Sequence, residues 1–140
     1  MLAGAAGTEA ASASGNPRQA AAHEDPAMDN ALIIRVRRGP GHSVLTAAGE
    51  IDFATVTRLR EQLFVLAEEG RPVIADLDQV SFIDATGLGA LVGAARRAAA
   101  HGASLHVVCA RPQTRKLFQL TELDRQLRLA RTLAGAVHDM

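Results

Sequence analysis

Apolar and polar positions begin to alternate at Leu32. Leu32, Ile34 and Val36 interleave with Ile33, Arg35 and Arg37, the period-two pattern of a half-buried strand. Arg38-Gly39-Pro40-Gly41 has turn composition, and Ser43 to Ala48 returns as a second strand, hairpin-paired with the first. Gly49-Glu50-Ile51-Asp52 then leaves the strand, and Thr55 is placed to cap a helix. In that helix Val56, Leu59, Leu63, Leu66 and Ala67 recur at helical spacing, and Gly70 stops it. Pro72 to Leu77 reads as a short apolar strand. Ser104 to Cys109 is a nearly continuous apolar run, typical of a sheet interior. Pro112 suits the first turn of a further helix, with Leu117, Phe118 and Leu120 as its apolar contacts. Leu127 and Leu129 mark a short edge strand. Thr132 to Val137 predicts a last small helix with Leu133, Ala136 and Val137 inward. Strands alternating with helices imply an α/β fold: a mixed sheet of four to five strands with three to four helices packed on it.

The stretch from Val80 to Ala94 organises this pattern. It is a hydrophobic approach, then a lone carboxylate, then a helix. Asp84 reads as the N-cap: its carboxylate can accept from the amides of Thr86 and Gly87, at the positive end of the helix dipole. Leu88, Leu91, Val92 and Ala95 fall on one face, and the helix runs past Arg96 and Arg97 to about Ala100, with Gly102 ending it. Gly87 and Gly89 in its opening turn are unusual, since each glycine inside a helix costs about 0.5–1 kcal/mol relative to alanine. They fit close packing of the helix on its own sheet. They also fit a surface kept low for a second molecule.

Composition narrows the functional classes. The chain has 140 residues, room for one domain. Residues 1–29 are rich in Ala, Gly, Ser and Thr, carry Pro17 and Pro26, and lack apolar periodicity, so a disordered tail is expected before a folded domain over residues 30–138. Met28 is a candidate translation start within that tail. Net charge is zero, which argues against a nucleic-acid partner, and the 3% aromatic content, without Trp or Tyr, offers no base-stacking platform. No stretch has the apolar length of a membrane span, and the N-terminus lacks the charged and apolar regions of a signal peptide. The single cysteine, Cys109, reads as a small buried hydrophobe and suits a reducing cytoplasm.

Most catalytic chemistry lacks its residues. Gly87-x-Gly89-x-x-x-Gly93 fails as a dinucleotide loop on spacing, and Val108 and Cys109 stand where that motif expects an acid. No Gly-Lys-Ser/Thr exists for a phosphate loop. The five histidines show no ligand spacing with Cys109 or with each other, so they read as solvated or incidental, and no metal site is expected. Asp84 as a phosphate acceptor would need a neighbouring acidic pair and a lysine, and Lys116 is the only lysine. Ser81 and Ser104 lack the glycine-flanked turn that exposes a nucleophile. Neither catalytic residues nor cofactors are expected.

Three signatures in one order carry a resemblance. Phe82-Ile83-Asp84-Ala85-Thr86-Gly87-Leu88-Gly89 is one, and Gly49-Glu50-Ile51-Asp52-Phe53-Ala54-Thr55 a second. Arg115-Lys116-Leu117-Phe118 with Leu120-Thr121-Glu122-Leu123 is a third. Across roughly residues 31 to 138 the chain resembles the STAS domain family, specifically its stand-alone bacterial anti-sigma factor antagonists. The resemblance implies the same α/β fold. It also implies a binding protein whose partner is an anti-sigma factor of the serine-kinase type, which on capture frees a sigma factor for transcription. STAS domains also occur as accessory subunits of membrane transport systems, a second role the resemblance allows.

The resemblance also assigns residues. It places partner contacts at Asp84, Ala85, Thr86, Gly87, Leu88 and Gly89, and at Asp52 in a loop bordering the motif helix. From the residues alone, Glu50 and Asp52 read as solvated loop charges. In the family, the residue after the motif aspartate is usually a serine that the partner kinase phosphorylates; here it is Ala85, which has no hydroxyl. Either the chain binds its partner without a switch at this position, or the neighbouring Thr86 takes the phosphate.

Overall fold

A computed structural model describes residues 32–140. The expected tail over residues 1–29 lies outside the described residues. Five strands form one sheet in the order β1 (Leu32–Arg38), β2 (Ser43–Ile51), β3 (Val73–Ile83), β4 (Leu105–Val108) and β5 (Arg128–Ala130). β1 and β2 are antiparallel, and the remaining neighbours are parallel. Four α-helices accompany them among the described residues: α1 (Val56–Ala67), α2 (Ala85–Ala100), α3 (Pro112–Leu120) and α4 (Leu133–His138). The mixed α/β sheet matches the architecture that the strand-helix alternation predicts.

Parallel neighbours need crossovers, and successive right-handed crossovers in one direction put their helices on one face. The main core lies there. Leu59, Leu63 and Leu66 of α1, Leu88, Leu91, Ala94 and Ala98 of α2, and Phe118 of α3 meet Leu45, Ala47, Ala75, Leu77 and Val107 of the sheet. A smaller cluster on the opposite face joins Ala136 of α4 to Val44, Ile74 and Val108. The order β1-β2-β3-β4-β5 leaves β4 in the sheet interior, which explains its unbroken apolar run.

Several boundaries and side chains differ from the sequence reading. β2 does not end at Ala48: it continues through Gly49 and Glu50 to Ile51. Register shifts between Thr46 and Ala48 and between Gly49 and Glu50, with Gly49 at φ 118°, absorb the misfit and let pairing resume at Glu50–Phe82 and Ile51–Ile83. β3 likewise runs to Ile83, beyond the expected Leu77, because its long neighbour supplies partners for Gln79 to Ile83. Leu120 is exposed at the end of α3, and Val137 faces outward on α4, leaving Ala136 as that helix's buried residue.

His106 is not solvated. It is buried on β4, and its Nε2 lies 3.0 Å from Ser104 Oγ. Burial pushes its pKa below the ordinary 6.5, with the nearby Arg128 charge acting in the same direction and Asp139 opposing. A lowered histidine pKa means that the unfolded chain binds the extra proton first. Stability is therefore expected to be full above about pH 6.5 and to fall as pH drops from that unfolded value toward the lower folded one. Urea midpoints from pH 8 to 5 check this; a His106→Leu variant is expected to lack the step.

Candidate functional site

The site forms where β3 ends and α2 begins. Asp84 has extended backbone (φ −107°, ψ −173°), which turns the chain out of the strand. Its Oδ1 accepts from Thr86 N at 3.0 Å and Gly87 N at 3.2 Å, as the cap reading requires. The same oxygen accepts from the Thr86 hydroxyl at 2.6 Å. That hydroxyl, with the amides of Gly87, Thr86 and Phe53, holds the Asp84 carboxyl below its ordinary pKa. Its contribution to stability is thus present above the ordinary aspartate range and is lost as pH falls through the lower folded value.

The β2–α1 loop is tied to this helix start. Asp84 N donates to Ile51 O at 3.1 Å, joining the end of β2 to the cap. Within the loop, Asp52 Oδ1 accepts from Ala54 N at 2.9 Å and from Thr55 N at 3.1 Å, an Asx turn. Thr55 stands at the N-cap position of α1 but makes no capping bond with its side chain. Its buried hydroxyl instead donates to Glu50 O at 2.9 Å and accepts from Asp52 N at 3.0 Å. The expected cap is therefore a brace that closes the loop on itself, because the chain folds back over the Thr55 hydroxyl before the helix starts.

The two glycines have different jobs. A Cβ on Gly87 would lie 2.6 Å from both Ile51 Cγ2 and Ile83 Cγ1, so α2 sits so close to the sheet that any side chain there would force its neighbours to shift. A Cβ on Gly89 would meet nothing within 4 Å. Gly87 thus answers to packing, and Gly89 does not. Leu88 is buried with Gly87, whereas Ala85, Thr86 and Gly89 are exposed and Asp52 and Asp84 half-buried. The fold brings Asp52 and Asp84 into adjoining loops and leaves the outer surface of the helix start to residues 85, 86 and 89.

Two exposed aromatics beside the motif were not singled out from the sequence. Phe53 is 80% exposed and Phe82 51% exposed. In a chain with four phenylalanines, a Phe directly after the Asp52 turn was the available signal. Among the described residues no group of three or more His, Cys, Asp or Glu side chains is arranged to hold a metal ion. No helix among them is long and apolar enough to cross a membrane.

A mixed sheet with a glycine-marked helix start after its central strand defines a class, and the sequence match agrees. The STAS domain matches residues 33–136, and the chain belongs to the STAS domain family. Within it, the chain is similar to antagonists of anti-sigma factors. It is 34% identical over 92 residues to the anti-sigma-B factor antagonist of Bacillus subtilis (strain 168), covering 66% of this chain and 84% of that relative. It is 33% identical over 76 residues to the anti-sigma-B factor antagonist of Staphylococcus aureus (strain NCTC 8325 / PS 47), covering 54% of this chain and 70% of the relative. The crystal structure of an anti-sigma factor antagonist from Mycobacterium paratuberculosis superimposes with a TM-score of 0.71 at 28% identity, over 77% of this chain and 92% of that one.

Proposed function

We propose that this chain is an anti-sigma factor antagonist. It binds an anti-sigma factor of the serine-kinase type in the cytoplasm and thereby releases a sigma factor for transcription. It works by binding and not by catalysis. The observation that carries the reading is the open start of α2. Ala85, Thr86 and Gly89 are exposed there with no bulky side chain, in a chain whose relatives are such antagonists. Recognition is by shape: a flat helix start admits close approach of a partner's backbone. The transport-subunit alternative draws no support from these relatives.

The chain docks without being switched at residue 85, because Ala85 has no oxygen to phosphorylate. Thr86 is a poor substitute. Its hydroxyl already donates to Asp84 at 2.6 Å. A phosphate would replace that donor with about −1.5 to −2 charges beside the Asp84 carboxylate. The direct test is to incubate the chain with its cognate anti-sigma factor and ATP and to map phosphate by mass spectrometry. No phosphate is expected on residues 84–89; stoichiometric phosphate on Thr86 would contradict the unswitched reading.

A further inference from the structure

We propose that Phe53, exposed in the braced β2–α1 loop and set among carboxylates, is the apolar anchor of this docking surface, seated in a pocket of the anti-sigma factor that is apolar within and basic at its rim. The inference rests on the antagonist reading and adds to it the chemistry of the partner's face.

Three observations converge. First, the aromatics are unevenly placed. Phe118 is buried in the core and Phe64 lies half-buried under the Arg97 guanidinium, 4.2 Å from its ring centroid. The two strongly exposed ones, Phe53 and Phe82, both flank Asp84: Phe53 lies two residues past Ile51, whose carbonyl accepts from Asp84 N at 3.1 Å, and Phe82 precedes Asp84 by two residues. Ile83 turns into the core, so Phe82 points to the other face of the sheet. Phe53 is the more exposed and sits in the loop tied to the helix start.

Second, the loop holds the backbone around Phe53 in place. Asp52 fixes the amides of Ala54 and Thr55 on one side of it, and the Thr55 hydroxyl ties Glu50 O to Asp52 N. An exposed phenyl on an ordered loop loses little freedom when it docks, and aromatic side chains are over-represented among residues that dominate interface energy. Third, carboxylates predominate in the two adjoining loops, and the nearby Arg58 guanidinium is turned to Leu32 O at 2.8 Å. The ion pairs among the described residues use Glu68, Glu69 and Glu122, so Glu50, Asp52 and Asp84 have no cation partner there. An apolar centre with an acidic rim complements an apolar pocket edged by Arg or Lys.

The test is a titration of the cognate anti-sigma factor with wild type, Phe53→Ala, Glu50→Gln and Leu120→Ala, each at low and high salt. Leu120 is 72% exposed and lies at the far end of α3, so it controls for loss of any surface apolar group. Phe53→Ala is expected to weaken binding by about 30-fold or more, the scale of an interface hot spot, with an unchanged melting temperature. Glu50→Gln is expected to slow association and flatten the salt dependence, and Leu120→Ala to bind as wild type. Wild-type binding with Phe53→Ala unaffected, or with Leu120→Ala weakened equally, overturns this inference and leaves the antagonist reading standing. Failure of wild type to bind at all rejects the antagonist reading and the inference with it.

Discussion

Ala85→Ser is expected to convert the chain into a phosphate acceptor for its cognate anti-sigma kinase. Residue 85 is the first helical residue of α2 and is exposed, so a serine there presents its hydroxyl without disturbing the core. The cap survives, because Asp84 bonds Thr86 and Gly87 and not residue 85. Once formed, phosphoserine places about −1.5 to −2 charges at the centre of the docking surface. Within the free protein that charge suits the positive helix end. Against a partner packed on the same spot it is bulky and unpaired, a burial that costs about 2–5 kcal/mol. Phosphorylated Ala85→Ser should therefore lose roughly 30-fold or more in affinity, while unphosphorylated Ala85→Ser and wild type bind alike. Incorporation of labelled phosphate and titration before and after ATP treatment check both halves. A variant that takes no phosphate while binding normally would place residue 85 outside the kinase's reach.

The second large effect separates the two glycines. Gly87→Ala drives a methyl to within 2.6 Å of Ile51 and Ile83 side chains in the core, where overpacking costs about 1–3 kcal/mol. The melting temperature should fall by about 4–8 °C for each kcal/mol lost. Gly89→Ala meets open space and gains helix propensity, so it should stabilise by about 0.5–1 kcal/mol. Thermal unfolding of both variants checks the sign. Opposite signs would mean that Gly89 is retained at the expense of stability, for the sake of a surface the free protein does not need. A Gly89→Arg variant is then expected to fold normally and fail to bind.

Much of this was legible in the chain. Period-two and helical spacing found β1, α1 and α2, because each buries one face, and an unbroken apolar run found β4, because it is buried on both. The Asp84 cap was readable because a carboxylate before a helix start has few other uses. What escaped depended on neighbours far along the chain. β2 and β3 run on past Ala48 and Leu77 because each supplies the other's partners across a bulge at Gly49, which no single stretch shows. Thr55 reads as a cap until Glu50 O is seen folded back over its hydroxyl. Sequence offered both readings of Gly87 and Gly89, and only the floor of Ile51 and Ile83 beneath residue 87 distinguishes them. Phe53 stood in the sequence only as one letter of the second signature, since exposure depends on what the rest of the chain leaves uncovered.

The most direct measurement is displacement: a preformed complex of the sigma factor with the cognate anti-sigma factor is titrated with this chain in the presence of ATP, and free sigma factor is read by transcription from its promoter. The account predicts release of the sigma factor in proportion to added chain, persisting through prolonged incubation with ATP. Retention of the sigma factor at saturating chain would contradict it.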